Sequence, residues 1–284
     1  MKICRFKDRA GKIKVGLLND DGTVLDLTPA GITALQPLLE SADPLEALRQ
    51  LPPDLPRLAP SEAILRAPVE RQEVWAAGVT YLRSKTARME ESDFSATAYD
   101  KVYAAERPEI FFKALAEKVA GPGEEAGIRY DSRWSVPEPE LALVLNSAGK
   151  LAGYTIGNDM SSRDIEGQNL LYLPQAKTYD RSCALGPCIT LGASESEART
   201  WSIRMAIRRG GAVVFAGETS VARIQRRFEE LAGFLFRCQK FPQGAILLTG
   251  TGIVPADNFT LEAGDVVEIE ISGIGRLQNT VAVV

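Results

Sequence analysis

The stretch that decides the fold is Val136-Pro137-Glu138-Pro139-Glu140-Leu141-Ala142-Leu143-Val144, in which two glutamates lead into an apolar run. The glutamates are two positions apart, so on a strand both side chains lie on one face, roughly 7 Å apart. Two such carboxylates repel each other unless a proton or a cation lies between them. An exposed edge strand is the alternative interpretation, because Pro139 cannot join a central ladder. The spacing alone does not decide between the two.

A third carboxylate follows in Gly153-Tyr154-Thr155-Ile156-Gly157-Asn158-Asp159, at the end of a second apolar run. Three converging carboxylates without a nitrogen ligand suit a hard cation such as Mg²⁺ or Mn²⁺. Asp164 lies shortly beyond, in what we expect to be the start of a helix. Spacing does not determine whether Asp159 or Asp164 supplies the third ligand.

The composition is that of an ordinary globular protein. The chain has 284 residues, 45% of them hydrophobic and 25% charged, and 33 basic against 37 acidic residues leave a net charge of −4. This balance and the lack of long basic runs argue against a nucleic-acid partner. The N-terminus lacks a signal-peptide core, and no apolar run approaches the roughly 18 residues of a membrane span. We therefore expect a soluble, cytoplasmic protein without a membrane partner.

The chain contains no histidine. Histidine is the usual acid/base group near neutral pH, so its absence excludes Ser-His-Asp and Cys-His catalysis and His-ligated zinc within one chain. Chemistry is left to carboxylates, Lys, Arg, Tyr, Ser, Thr, Cys or a metal bound by oxygen. The four cysteines are scattered, which predicts reduced structural thiols rather than a disulfide framework; they are Cys4, Cys183, Cys188 and Cys238.

The first part of the chain predicts a small α+β unit. Turn residues separate three short predicted strands, at 2–6, 12–18 and 23–27. Residues 32–51 have helical spacing interrupted near Asp43-Pro44, and a proline-rich passage from 51 to 56 reads as an extended connector. We place a boundary near residue 66, which gives an N-terminal domain over 1–66 and a catalytic domain over 67–284.

The remainder predicts a β-rich body. One clear amphipathic helix is predicted over 221–239, and the polar stretch 84–101 is expected to be a helix-and-loop excursion over a site. Strands outnumber helices and do not alternate with them regularly, which indicates an α+β fold. These strands are predicted at 73–78, 141–145, 154–156, 202–208, 212–215, 246–249, 265–271 and 280–284.

The glutamate pair, the segment around Asp159 and two later motifs resemble the fumarylacetoacetate hydrolase superfamily. Its pattern is a Glu-x-Glu strand, then Asn-Asp-x-[Ser/Thr]-x-Arg-Asp, a lysine and a Thr-Gly-Thr loop. Here the corresponding residues are Glu138 and Glu140, 158–164, Lys177 and 249–251, and the match covers about residues 70 to 284 in the same order. The resemblance implies a fumarylacetoacetate hydrolase-like catalytic domain, a mixed β-sandwich roll, with the small N-terminal α+β domain beside it. It also implies a homodimer or a dimer of dimers.

The resemblance further implies roles for single residues. Glu138, Glu140 and Asp159 would be the ligands of Mg²⁺, with Mn²⁺ as the alternative ion. A second set would contact the substrate, a small 2-keto acid: Arg163, Glu166, Thr251, Tyr81 and Gly250.

One departure from the family pattern bears on the reaction. Hydrolytic members resemble Gly-x-Asn-Tyr-x-x-His, in which the histidine activates water. Here residues 78–84 read Gly-Val-Thr-Tyr-Leu-Arg-Ser, so Ser84 occupies the histidine position. A hydrolase of that mechanism is therefore disfavoured.

Residues 107–113, 157–169 and 172–177 instead resemble the branch that dehydrates 2-keto-3-deoxy-D-arabinonate to 2,5-dioxopentanoate. A metal that chelates the C1 carboxylate and the C2 ketone acidifies the C3 proton. One base for C3 and one acid for the departing C4 hydroxyl are still needed. Lys177 and Glu109 are the catalytic candidates, without a decision on which is the base. The alternatives are a solvated loop cation for Lys177 and a carboxylate at a helix start, after Pro108, for Glu109.

Three rival functions stay open. Acylpyruvate hydrolysis and oxaloacetate decarboxylation run on the same scaffold; the missing histidine argues against the first but not the second. A catalytically silent protein that binds metal and a keto acid is the third. The sequence does not decide sugar chain length, C4 stereochemistry, Mg²⁺ against Mn²⁺, or oligomer size.

Overall fold

The computed structural model describes residues 1–82, 102–103 and 105–284. The polar excursion predicted over 84–101, including Ser84, lies outside the described residues.

Strands dominate the described chain. They are β1 Lys2–Lys7, β2 Ile13–Leu18, β3 Val24–Asp26, β4 Arg57–Leu58, β5 Ile64–Arg66, β6 Glu73–Gly78, β7 Glu109–Ala114, β8 Val119–Ala120, β9 Glu125–Ile128, β10 Ser135–Val136, β11 Pro139–Leu145, β12 Leu151–Asp159, β13 Ser161–Ser162, β14 Cys183–Leu191, β15 Ser202–Arg209, β16 Ala212–Ser220, β17 Ala245–Thr251, β18 Val266–Ile271 and β19 Gly275–Val283. The described α-helices are short: α1 Gln36–Leu39, α2 Pro44–Arg49, α3 Arg163–Gln168, α4 Leu173–Lys177, α5 Glu195–Ala198 and α6 Phe228–Phe236.

The described strands form one large sheet, one smaller sheet and a two-stranded sheet of β10 and β13. The large sheet has the order β4-β3-β2-β1-β14-β12-β11-β17-β6-β7, with β5 paired to β1 and β8 to β14. The smaller sheet has the order β16-β15-β18-β19-β9. The N-terminal strands continue the large sheet, because β1 pairs with β14 through Lys2 opposite Thr190 and Ile3 opposite Ile189. The domain boundary near residue 66 stays a prediction.

Burial explains why the central strands are apolar runs. All seven residues of β11 and all nine of β14 are buried, whereas β18 alternates between partly buried and buried residues. Apolar burial of this extent is the main stabilising contribution to a fold. Tyr154 of β12 packs against residues outside the large sheet: its ring lies edge-on against Trp201 at 5.4 Å and against Phe228 of α6 at 6.0 Å. The β-rich α+β prediction is confirmed.

Two local predictions were wrong. The helix predicted over 221–239 is shorter: Val221–Arg223 form one 3₁₀ turn, and extended residues separate it from α6. In that gap the carbonyls of Ile224 and Arg226 accept hydrogen bonds from the Arg199 guanidinium. The edge-strand alternative at Pro139 also fails, since β11 lies between β12 and β17. Pro139 is the first residue of its strand, a position where a missing N–H is tolerated.

All four cysteines are free thiols, as predicted. Among the described residues, no helix has both the length and the apolar composition to cross a membrane.

Candidate metal centre and active site

Three carboxylates meet at the ends of two adjacent strands. Glu138 directly precedes β11, Glu140 lies within it, and Asp159 ends β12, its antiparallel neighbour. Each contributes one oxygen to a group in which all atoms lie within 4.8 Å of one another, and all three residues are buried. Asp164 lies elsewhere, where it accepts hydrogen bonds from Ser132 Oγ at 2.6 Å and from the backbone N–H of Arg133 at 2.8 Å. The alternative that spacing left open is thus resolved geometrically in favour of Asp159.

The buried and negatively charged surroundings perturb the pKa of Glu140. Burial raises the pKa of Glu140 well above its usual value, and the neighbouring Asp159 and Glu138 carboxylates raise it further. Lys177 and a hydrogen bond from the Gly250 N–H oppose this shift. That N–H donates to Glu140 Oε2 at 2.6 Å. Glu140 is therefore a buried carboxylate beside two others, a position in which a bound cation stabilises the charged form.

Lys177 lies at the C-terminal end of α4 and is completely buried. Its Nζ donates to Glu138 Oε2 at 2.9 Å, Asp159 Oδ2 at 3.0 Å and Ser161 Oγ at 2.5 Å. The alternative of a solvated loop cation is wrong, because these contacts place the ammonium between two of the three carboxylates.

Arg163 and Glu166 extend this charged network along α3. Arg163 Nη2 donates to Glu138 Oε1 at 2.7 Å, and its Nε lies 3.9 Å from Glu166 Oε2. Both side chains are buried. Arg163 therefore contacts the triad directly, while Glu166 contacts Arg163 on the helix.

A small cavity opens beside the triad. Arg163, Lys177, Gly250 and Thr251 line it together with the three carboxylates and an apolar wall of Ala77, Gly78, Val79 and Phe111. Tyr81 is not among the residues that line this cavity; its ring lies against Gly252, where it occupies the space that a side chain at position 252 would need. Burial raises the pKa of the Tyr81 hydroxyl. Direct substrate contact by Tyr81 stays a prediction.

Glu109 begins β7 and lies opposite Gly78 in the pairing with β6. A Cβ at position 78 would overlap the Glu109 carboxylate, so this group covers the glycine that lines the cavity. The helix-start alternative for Glu109 is wrong, because the residue belongs to a strand. Glu109 is partly buried.

The profile of the family described as "Fumarylacetoacetate (FAA) hydrolase C-terminal" matches residues 73–282. The chain belongs to this family. The resemblance noted from the motifs is thereby confirmed.

Two curated proteins resemble this family member over most of its length. A protein of Haloferax volcanii named "Probable 2-keto-3-deoxyxylonate dehydratase" is 47% identical over 217 residues, covering 76% of this chain and 74% of that protein. The "2-dehydro-3-deoxy-D-arabinonate dehydratase" of Saccharolobus solfataricus is 40% identical over 284 residues, covering 98% and 95%.

A solved structure resembles the fold throughout. It is titled "2-keto-3-deoxy-D-arabinonate dehydratase complexed with magnesium and 2,5-dioxopentanoate", is 35% identical, and superposes with a TM-score of 0.84 over 100% of this chain and 99% of the other. The fumarylacetoacetate hydrolase-like fold predicted from the motifs is confirmed.

Sequence reasoning missed two side chains of this family member's site. Ser161 accepts the Lys177 hydrogen bond, and Lys113 is a second fully buried lysine whose Nζ lies 2.5 Å from Asp159 Oδ1. A cation within the apolar run Ile110–Ala114 was the available signal for Lys113, since a lysine is rarely buried without a charged partner.

Proposed function

We propose that this chain catalyses the Mg²⁺-dependent dehydration of a 2-keto-3-deoxy sugar acid, of the 2-keto-3-deoxy-D-arabinonate type, to 2,5-dioxopentanoate. The observation that carries the proposal is the buried triad of Glu138, Glu140 and Asp159 in contact with Lys177. Relatives named as dehydratases of such acids, at 40% to 47% identity, support it. The proposal makes the chain a hydro-lyase of sugar-acid catabolism, in pentose degradation.

The residues present fit a magnesium ion. The triad offers only carboxylate oxygens, which are the donors that hard divalent cations prefer. Burial beside two further carboxylates raises the pKa of Glu140, and a divalent ion there would stabilise its charged form. We therefore assign Glu138, Glu140 and Asp159 as the ligands of Mg²⁺, with Mn²⁺ as the alternative ion.

The bound ion would supply Lewis acidity to the C1 carboxylate and C2 ketone of the substrate. The overall reaction removes a proton from C3 and the hydroxyl from C4 as water. A C5 proton then leaves while C3 regains one, which gives the C4–C5 enol. C4 gains a proton as the C5 hydroxyl loses one, so C5 ends as the aldehyde carbon. These steps need groups that donate and accept protons on the substrate side of the triad.

We assign these proton transfers to Lys177 and Glu109 as a pair. Lys177 is held at the triad, and Glu109 lies across the cavity wall at Gly78. Both are buried or partly buried. Arg163, Gly250 and Thr251 line the cavity and are assigned to substrate contact, with Glu166 supporting Arg163. Tyr81, which lies against Gly252, is kept as a candidate for substrate contact.

Hydrogen exchange at C3 separates the two roles. A variant without the base should lose both deuterium exchange at C3 and water elimination. A variant without the acid should keep C3 exchange in D₂O while losing elimination. We therefore propose to follow C3 exchange by NMR in Lys177→Ala and Glu109→Gln, with Glu117→Gln, an exposed glutamate beyond β7, as the control. Unchanged turnover in both site variants would contradict the pair assignment.

The substrate class is tested with a panel of keto acids. Pentonate and hexonate forms of either C4 configuration define the range, and acetylpyruvate and oxaloacetate test the rival activities. Mg²⁺-dependent aldehyde formation from a 2-keto-3-deoxy acid is expected. Release of CO₂ from oxaloacetate without dehydration of any sugar acid would favour the decarboxylase instead. The homodimer or dimer of dimers is carried over from the family resemblance, and light scattering tests it. The cytoplasmic location is carried over from the expectation based on the N-terminal sequence and the lack of a long apolar run.

A further inference from the structure

Lys113 occupies an irregular position in β7. In the pairing with β6, Val74 lies opposite Ala114 and Trp75 opposite Phe112. Lys113 is therefore the extra residue of a β-bulge. Such bulges occur next to active sites, where they redirect a side chain. Here the redirected side chain is a lysine that is completely buried.

Among the described residues, the Lys113 ammonium has three oxygen partners, all belonging to the active-site elements. Nζ donates to the carbonyl of Met160 at 2.8 Å and to the carbonyl of Lys177 at 2.5 Å. It also lies 2.5 Å from Asp159 Oδ1, as a charge contact without the alignment of a hydrogen bond. An ammonium carries three N–H donors and no acceptor, and two of these donors go to the two carbonyls.

These contacts connect the proposed ligand and the proposed catalytic lysine. With Oδ1 of Asp159 facing Lys113, Oδ2 of the same carboxylate faces Lys177 Nζ at 3.0 Å. The bond to the carbonyl of Lys177 fixes the end of α4, from which that side chain extends. The buried Lys113 ammonium thus holds the Asp159 carboxylate and Lys177 in place relative to each other.

We infer that Lys113 is a positioning residue, which sets the orientation of the Asp159 carboxylate toward the metal position and the place of Lys177 beside it. The inference rests on the proposed function, because it takes Asp159 as a metal ligand. Groups behind the ligands of a metal site typically change metal affinity by about 10- to 100-fold when they are replaced.

The direction of the change in Mg²⁺ affinity separates a positioning role of Lys113 from an effect of its charge alone. Removing a positive charge near a cation site, by itself, reduces repulsion and strengthens the binding of Mg²⁺. Losing the orientation of a ligand weakens binding. A purely structural role lowers the unfolding temperature without changing the dissociation constant of the folded protein. Weaker Mg²⁺ binding by the variant would therefore show that the orientation of the ligand, and not only the charge, was lost.

The experiment is calorimetric titration of Mg²⁺ into the metal-free full chain without substrate. Lys113→Met keeps most of the side-chain volume and removes the ammonium. We expect its dissociation constant to rise about tenfold or more. Lys118→Met, an exposed lysine just beyond β7, is the matched control and should bind like the wild type. Equal or tighter binding by Lys113→Met would overturn the inference.

A second variant covers the case in which Lys113→Met does not fold, as judged by circular dichroism. Lys113→Gln keeps N–H donors for a backbone carbonyl but has no charge and is shorter, so we expect weakened binding here too; wild-type affinity would overturn the inference. Two failures are distinguishable. A wild-type chain that does not bind Mg²⁺ overturns both the proposed function and the role of Lys113. A wild-type chain that binds Mg²⁺, with variants that bind it equally well, overturns the role of Lys113 alone.

Discussion

Replacing Gly250 by alanine should lower the free energy of unfolding more than replacing a glycine that has the same backbone conformation but open space around it. Gly250 has a φ of +88°, a left-handed conformation, and Gly264 has the same φ of +88°. A Cβ at Gly264 would meet nothing within 4 Å, whereas a Cβ at Gly250 would overlap Thr80 Oγ1 and lie 3.0 Å from the carbonyl of Ala77. Thr80 cannot simply rotate away, since its hydroxyl donates to the carbonyl of Thr249 at 2.5 Å.

The two variants separate strain from overlap. Left-handed backbone costs an L-residue about 1–2 kcal/mol, and this applies to both positions. Overpacking adds about 1–3 kcal/mol, at Gly250 alone. The free energy of unfolding should therefore fall by about 1–2 kcal/mol in Gly264→Ala and by about 2–5 kcal/mol in Gly250→Ala.

Urea unfolding followed by tryptophan fluorescence measures both losses, and the same samples are assayed for Mg²⁺-dependent turnover. Gly250→Ala should also lose activity, because the Gly250 N–H contacts Glu140. Gly264→Ala should keep it. Equal losses of stability in the two variants, or full activity in Gly250→Ala, would refute the close approach seen at Gly250.

Three further predictions follow from the charges of the site. Folding raises the pKa of Glu140, so the folded metal-free chain favours the protonated form of this residue. The contribution of Glu140 to the free energy of unfolding therefore declines as pH rises from the usual glutamate range toward the raised pKa. Glu140→Gln should remove that decline, seen as a smaller loss of unfolding temperature between acid and neutral pH in EDTA; an unchanged pH profile contradicts the assignment. Glu138→Gln should abolish Mg²⁺ binding and turnover together in calorimetry and kinetic assays, so retained affinity would exclude it as a ligand. Lys177→Ala should keep Mg²⁺ binding and lose turnover, and a near-normal kcat would rule out a chemical role.

Most of the triad could be predicted from the sequence, because the spacing of two of its residues depends only on local strand geometry. Period-two spacing puts Glu138 and Glu140 on one side of a strand whatever the fold. Asp159 and Asp164 could not be separated in that way, because their order along the chain does not show that β12 ends beside β11. The family resemblance supplied the choice, and the strand pairing places Asp159 at the triad.

Other features depended on contacts between distant segments. Lys113 reaches Asp159 because of a one-residue bulge against β6, and no pattern in its own strand specifies a bulge. The helix predicted over 221–239 begins late, and in the gap before it Arg199, more than twenty positions away, binds the carbonyls of Ile224 and Arg226. Helical spacing of buried residues did not reveal this, since Ile224 is buried without belonging to α6.

The central claim is tested most directly by aldehyde formation from 2-keto-3-deoxy-D-arabinonate, with Mg²⁺ and with chelator, beside acetylpyruvate. Dehydration through the triad predicts 2,5-dioxopentanoate from the sugar acid only when the metal is present, and no turnover of acetylpyruvate. Turnover of acetylpyruvate alone would contradict the account, because it would mean that this site activates water without a histidine.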